Sequence, residues 1–174
     1  GKAKYLLIFI VIDLILIGLS YVMAAQYGFL DNSLVNATLV EFLPDECKVY
    51  DKSPGTTASI EFKRNKFGEI IDRTSMNLVT KGVYAGSYSS FSVVALNIGD
   101  IPLMVDEYRL DIENGDNYLS KELYFSGKIK IYTKDNDYYN LLGEFKKVSL
   151  SNLADKLTSI MKYRKIDIGE KIII

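Results

Sequence analysis

The 174-residue chain has no histidine, no tryptophan, one cysteine and three prolines. Without histidine there is no His-dependent general base, no Ser-His-Asp triad and no His-ligated zinc. A single cysteine, Cys47, permits neither an intrachain disulfide nor a thiolate cluster. Charge of neither sign is in excess: 21 Lys and Arg stand against 22 Asp and Glu, for a formal net charge of −1. That balance leaves no cationic surplus for binding nucleic-acid phosphates. The chain has no Gly-rich phosphate loop and no nucleophile–base pair, and its carboxylates are too dispersed to nominate a glycosidase pair. These absences point away from an enzyme, a cofactor and a nucleic-acid partner. The length fits one domain with a short appendage.

The strongest positive signal is near the amino terminus. Between Tyr5 and Ala25, 18 of 21 residues are apolar, the exceptions being Asp13, Gly18 and Ser20. Roughly 20 residues at about 1.5 Å each can cross a hydrocarbon layer of about 30 Å. Lys2 and Lys4 precede the run, so the positive-inside bias leaves the amino terminus in the cytoplasm and the remainder outside. A signal peptide has the same layout, with Val22-Met23-Ala24 resembling a small-x-Ala cleavage site. Residues 1–25 are therefore expected to be a helical signal peptide or transmembrane anchor, with the rest exported, at the cell surface or outside the cell. Asp13 is anomalous, because an ionised carboxylate at a bilayer centre costs about 2.5–3.5 kcal/mol on insertion scales. It is a candidate intramembrane polar contact, or else a tolerated defect in a short-lived segment. The ends, Gly1 and the apolar run Ile172–Ile174, read as those of a processed or truncated product.

After residue 25 the pattern becomes that of a β protein. Turn signals recur at Ser53-Pro54-Gly55, Lys66-Phe67-Gly68, Lys81-Gly82, Ile98-Gly99-Asp100, Asn114-Gly115-Asp116, Asp135-Asn136-Asp137 and Ile168-Gly169-Glu170. Between them lie runs rich in β-branched and aromatic residues, clearest at 57–63, 91–97, 103–112, 123–133 and 171–174. In Lys128–Thr133 the isoleucines alternate with polar residues, as in a strand buried on one face. One short helix is expected, capped by Ser149 or Ser151, with Leu150, Leu153, Leu157, Ile160 and Met161 along one stripe. Many short strands with one late helix predict a mainly β fold: an Ig-like or jelly-roll-type antiparallel sandwich over 38–174, reached through a connector at 26–37.

Few motifs carry chemistry. Asp111-x-Glu113-Asn114-Gly115-Asp116 and Asp135-Asn136-Asp137 place oxygen ligands near turns, as calcium requires, but the spacing is not that of an EF-hand, and these are also ordinary hairpin residues. Asn36-Ala37-Thr38 is a glycosylation sequon, making Asn36 a candidate modification site. Lys63-Arg64-Asn65-Lys66 reads as a solvated hairpin tip. Cys47 is either a buried thiol or the donor of an intermolecular disulfide.

Several stretches, in order, resemble the TasA/camelysin family of exported β-sandwich proteins. Ala24-Ala25-Gln26-Tyr27-Gly28-Phe29-Leu30-Asp31 is similar to the segment that follows the signal in that family. Asn97-Ile98-Gly99-Asp100-Ile101-Pro102 is similar to its Asn-x-Gly-x-x-Pro, with the proline one position late. Ser149-Leu150-Ser151-Asn152-Leu153 and Gly169-Glu170-Lys171-Ile172 match its late helix and Gly-Glu turn. The resemblance implies a non-enzymatic extracellular subunit that assembles with itself into matrix fibres, an amino-terminal strand of one copy completing the sandwich of the next. Residues 26–43 would then be the donor, and the connector 26–37 a possible donor strand. It is not extended to protease activity, for which no histidine ligand or nucleophile is present. The alternative expectation is a membrane-anchored Ig-like ectodomain serving a surface filament or secretion complex as an accessory or pilin-like subunit, held in the membrane by 5–25 if that segment is not cleaved.

Overall fold

The computed structural model describes the backbone of residues 9–17, 40–100, 102–104, 107–113, 123–133 and 139–174, and the side chains of 40–100, 102–103, 123–133 and 139–174. Among these the chain forms β1 (Phe9–Ile17), β2 (Val40–Phe42), β3 (Lys48–Lys52), β4 (Thr57–Glu61), β5 (Ser75–Lys81), β6 (Ser89–Ser92), β7 (Val94–Asn97), β8 (Leu103–Met104), β9 (Glu107–Glu113), β10 (Tyr124–Tyr132), β11 (Tyr139–Ser149), α1 (Leu150–Met161), β12 (Lys165–Ile166) and β13 (Lys171–Ile173). Among the described residues the fold is mainly β with one helix, and every pairing between strands is antiparallel.

Two larger sheets dominate. Sheet A runs β4-β5-β1-β9 and sheet B runs β11-β10-β13-β7-β2, with β12-β8 and β3-β6 as two-stranded pairs. A single apolar cluster draws on both: Met76, Ile60 and Leu78 from sheet A, and Phe42, Ala95, Ile129, Phe145 and Ile172 from sheet B. Alternation decides which residues enter it. Along β10, Ile129 and Ile131 are buried while Lys128 is exposed, as the sequence led one to expect.

The helix closes the core. Leu150, Leu153, Leu157 and Met161 are all buried, at the i, i+3, i+4 spacing of one stripe. Each is worth roughly 1.5–3 kcal/mol of burial. The helix packs against β9 of sheet A and β10 and β11 of sheet B, so it touches both sheets. Ser149 is the N-cap residue, but its hydroxyl pairs with that of Ser151 at 3.1 Å rather than capping the backbone. Two glycines permit close approach. A Cβ on Gly143 would lie 2.7 Å from Ile160 Cγ2, so β11 and the helix meet where a side chain is missing. Gly82 takes φ +73°, and a Cβ there would lie 2.6 Å from the Gly55 carbonyl oxygen.

One element differs from expectation. From the sequence, Phe9–Ile17 falls within an apolar helix, yet its backbone is a strand between β5 and β9. Five of its nine residues are β-branched, and an unbroken apolar run does not by itself separate buried strand from buried helix. The rest of the expected 1–25 segment, and the connector 26–37, lie outside the described residues.

Gly143→Val should lower stability by about 1–3 kcal/mol, because the added carbons must push the helix from β11. Urea denaturation against wild type measures this. Val should cost more than Ala at the same position.

Candidate assembly interface

The side chains singled out from the sequence are not drawn into one pocket. Asn36, the acidic turns at 114–116 and 135–137, and the connector 26–37 lie outside the described residues. Among the described residues no group of three or more His, Cys, Asp or Glu side chains is placed to hold a metal ion, and no helix is long and apolar enough to cross a membrane. The Lys63–Lys66 stretch is a hairpin tip, as expected: Asn65 Oδ1 accepts the N–H groups of Phe67 and Glu69, and Arg64 Nη1 donates to the Gly68 carbonyl. Cys47 is half-buried. Its thiol donates to the Val94 carbonyl at 3.7 Å and accepts from the Val94 N–H at 3.4 Å, and burial pushes its pKa up. A protonated thiol held in this way is a poor nucleophile and a poor disulfide partner.

Two motifs far apart in sequence do meet. Asn97 is 1% exposed and ends β7. Its Nδ2 donates to the Ile166 carbonyl at 3.1 Å, and its Oδ1 accepts the Gly99 N–H at 2.9 Å. Its backbone N–H donates to the Glu170 carbonyl, and its own carbonyl accepts the Gly169 N–H. One asparagine thus ties the Ile98–Asp100 turn to the Gly169-Glu170 turn that starts β13. Glu170 is only 8% exposed and accepts the Asp167 N–H at 2.6 Å. Burial raises its pKa above the ordinary carboxylate value. Asp72 is the reverse case: the Thr74 hydroxyl and N–H, with Ser75, hold its pKa below the ordinary value. Both arrangements are structural staples.

An open groove of about 850 Å³ lies beside the start of α1, lined by Tyr124, Lys147, Ser149, Asn152, Asp155 and Lys156. At its wall the β10–β11 ladder has a bulge, where Lys147 adopts φ +49° and its N–H bonds to Ser126 Oγ. Its lining mixes cations and an acid around no buried polar centre, so it lacks the convergence that a small-molecule site needs.

The feature with most bearing on function is the place of β1. It pairs with β5 through seven residues, Phe9↔Lys81 to Ile15↔Ser75, and with β9 through seven more, Val11↔Glu113 to Ile17↔Glu107. Ile12 and Leu14 fall in register with Leu78 and Met76 on one flank and with Ile112 and Leu110 on the other. This is the parity that Met76 and Leu78 direct into the core. Asp13, expected as a membrane contact, falls between Asn77 and Asp111, with Glu61 next beyond Asn77. It falls at one level of the sheet with the polar residues Glu61, Asn77 and Asp111. Of the expected donor 26–43, Val40–Phe42 is seated in its own chain as edge strand β2, paired with β7. Between β1 and β2 run 22 residues, 18–39.

No protein-family model, curated protein or solved structure matches this chain.

Asn97→Ala should cost about 2–4 kcal/mol, since it leaves the Ile166 carbonyl and Gly99 N–H unpaired in the interior. Thermal unfolding reads the loss. Glu170 and Asp72 give opposite slopes with pH. The folded pKa of Glu170 is raised, so its share of stability is complete below the ordinary glutamate pKa and is lost as pH rises through the folded value. The folded pKa of Asp72 is lowered, so its share is present above the ordinary aspartate pKa and is lost as pH falls through the folded value. Glu170→Gln should flatten the first slope and leave the second, and Asp72→Asn the converse, in denaturation series between pH 3 and pH 8.

Proposed function

We propose that this protein is a non-enzymatic, exported structural subunit, that its two sheets are the layers of an Ig-like or jelly-roll-type sandwich, and that copies join by strand exchange through the amino-terminal arm. The observation that carries this reading is the seat of β1. The centre of sheet A is filled by an apolar strand tied to the next strand by 22 residues, 18–39. Extended, that tether spans up to about 70 Å at roughly 3.3 Å per residue. The same seat in a neighbouring copy is therefore within reach. Exchange between identical copies replaces each cis pairing by the same pairing in trans, so it costs little enthalpy.

Export is supported by the apolar run 5–25 with Lys2 and Lys4 before it. The resemblance to TasA/camelysin proteins points to fibres or a biofilm-type matrix, with 26–37 as the strand passed between copies. The length of the same run favours a second reading, an anchored ectodomain that keeps residues 5–25 in the membrane and works as an accessory of a surface filament.

Two single-cysteine variants in a Cys47→Ser background separate the readings. Ile12→Cys and Leu78→Cys sit opposite one another in the β1–β5 register. Mixed at high concentration and oxidised, they should yield a heterodisulfide dimer, which neither variant forms within itself. Disulfide within a doubly substituted chain, with none between the mixed single variants, would reject exchange and leave the anchored reading. Amino-terminal sequencing of protein from its host then tells cleavage after Ala24 or Ala25 from retention.

A further inference from the structure

We infer that Phe9–Ile17 is a built-in plug: in the unprocessed chain it occupies the position in sheet A that receives a neighbour's strand, so assembly waits for its departure. This rests on the reading above and adds its control.

With β1 seated, both flanks of the central position are taken by the chain's own residues, seven pairs on each side. Once it leaves, the ladder of β5 from Ser75 to Lys81 and that of β9 from Glu107 to Glu113 both open onto the same gap. A gap flanked by two unpaired ladders accepts an extended strand by main-chain bonding on both sides. The demands on this one segment conflict in time. Its composition suits a leader, with lysines before it, an apolar run broken within it only by Asp13, and Val22-Met23-Ala24-Ala25 after it. Its place is that of a central strand. A strand seated first and removed later satisfies both. Removal is the hydrolysis of one peptide bond, after Ala24 or Ala25, by an export peptidase with water as the co-reactant.

The seat is also made to be left. The register sets Asp13 directly opposite Asp111 and beside Asn77. Glu113 and Arg109 stand one same-parity position to either side of Asp111 on β9, and Glu61 lies beyond Asn77 on β4. Like charges directly opposite on antiparallel strands destabilise the pairing. A neighbour's 26–37, in a register that sets its single acid, Asp31, away from this level, would bind more firmly.

The occupant that replaces β1 is the segment 26–37 of a second copy. It is the next stretch of chain after the cleavage region, and only residues 38 and 39 separate it from β2. At roughly 3.3 Å per residue, twelve residues extend to about 40 Å, more than the seven-residue seat requires.

The test uses the full chain with a site-specific protease sequence placed between Ala25 and Gln26. Fold and seating are checked first by the disulfide between Ile12→Cys and Leu78→Cys within one chain. Growth is then followed by light scattering. At concentrations below those that drive exchange of β1 between copies, the uncut chain should stay monomeric and the cut chain should assemble. An excess of a synthetic peptide spanning Lys4–Ile17 should slow assembly about tenfold, by mass action on the same seat. The same peptide with Asp13→Asn should slow it further. Equal growth of cut and uncut chains, or growth indifferent to the peptide, would overturn the plug while leaving strand exchange standing. No growth in either form, with no heterodisulfide between the mixed single-cysteine variants, would remove the exchange reading itself.

Discussion

A strand in the middle of a sheet must satisfy backbone donors and acceptors on both flanks, and in sheet A that duty falls to Phe9–Ile17. The rest of the layer is arranged around it. β5 and β9 are each paired with β1 and not with one another, so without it the ladder of sheet A divides into the β4-β5 pair and β9. Two-stranded pairs and single strands are marginal in water. The layer is therefore only as secure as a segment at the far end of the chain, contributed across a 22-residue tether. A sheet that depends on a detachable strand is open to completion by the equivalent strand of another copy.

Sheet B and the helix carry no such dependence. Phe42, Ala95, Ile129, Phe145 and Ile172 enter the core from four strands of one sheet and β2 at its edge; the leucine stripe of α1 joins the same core, and the helix packs beside β9. The packing of α1 on β11 works because β11 has no side chain at Gly143, where Ile160 rests. Asn97 provides a second fastening, holding the turn that launches β13 against the end of β7. Sheet B is thus pinned by its own strands, its turns and the helix, while sheet A waits on a strand from before the tether. That asymmetry allows one layer to exchange while the other keeps its shape.

What could be read from the sequence follows the same division. Lys128–Thr133 announced β10 because its apolar residues alternate, and Leu150–Met161 announced the helix because its apolar residues recur every three or four positions. The turns at Gly55, Gly68, Gly82 and Gly169 were legible because each glycine takes the positive φ such turns require. β11 was hidden by Gly143 and by Leu141-Leu142, which break the period of two; only the bulged ladder to β10 gives that segment its strand. β1 was hidden differently. Nine residues with one polar member have no period at all, so length and the flanking lysines dominated the reading, and only β-branching hinted at a strand. Asn97 was visible as part of a short motif, but its partners, at 166, 169 and 170, are set by the fold and not by spacing along the chain.

The remaining edges explain why association would concentrate at the β1 seat rather than at an outer strand. β11 offers the longest edge, but two bulges interrupt its ladder, Lys147 departs to positive φ, and Lys146 adds a second exposed charge. β9 carries Glu107, Arg109, Asp111 and Glu113 at every second position. β2 is three residues long and β4 five. Charge, bulges and brevity are the devices by which natural sheets discourage edge-to-edge pairing. A vacated central position keeps the β9 charges on one flank but is neither bulged nor short. It is flanked on both sides, seven residues deep on each, and its core-parity partners, Leu78 and Met76 on one flank and Leu110 and Ile112 on the other, are apolar. An incoming strand gains two ladders and a hydrophobic face there, against one guarded ladder at any outer edge. That difference makes the occupancy of the seat, rather than exposure of the outer strands, the quantity that governs whether copies join.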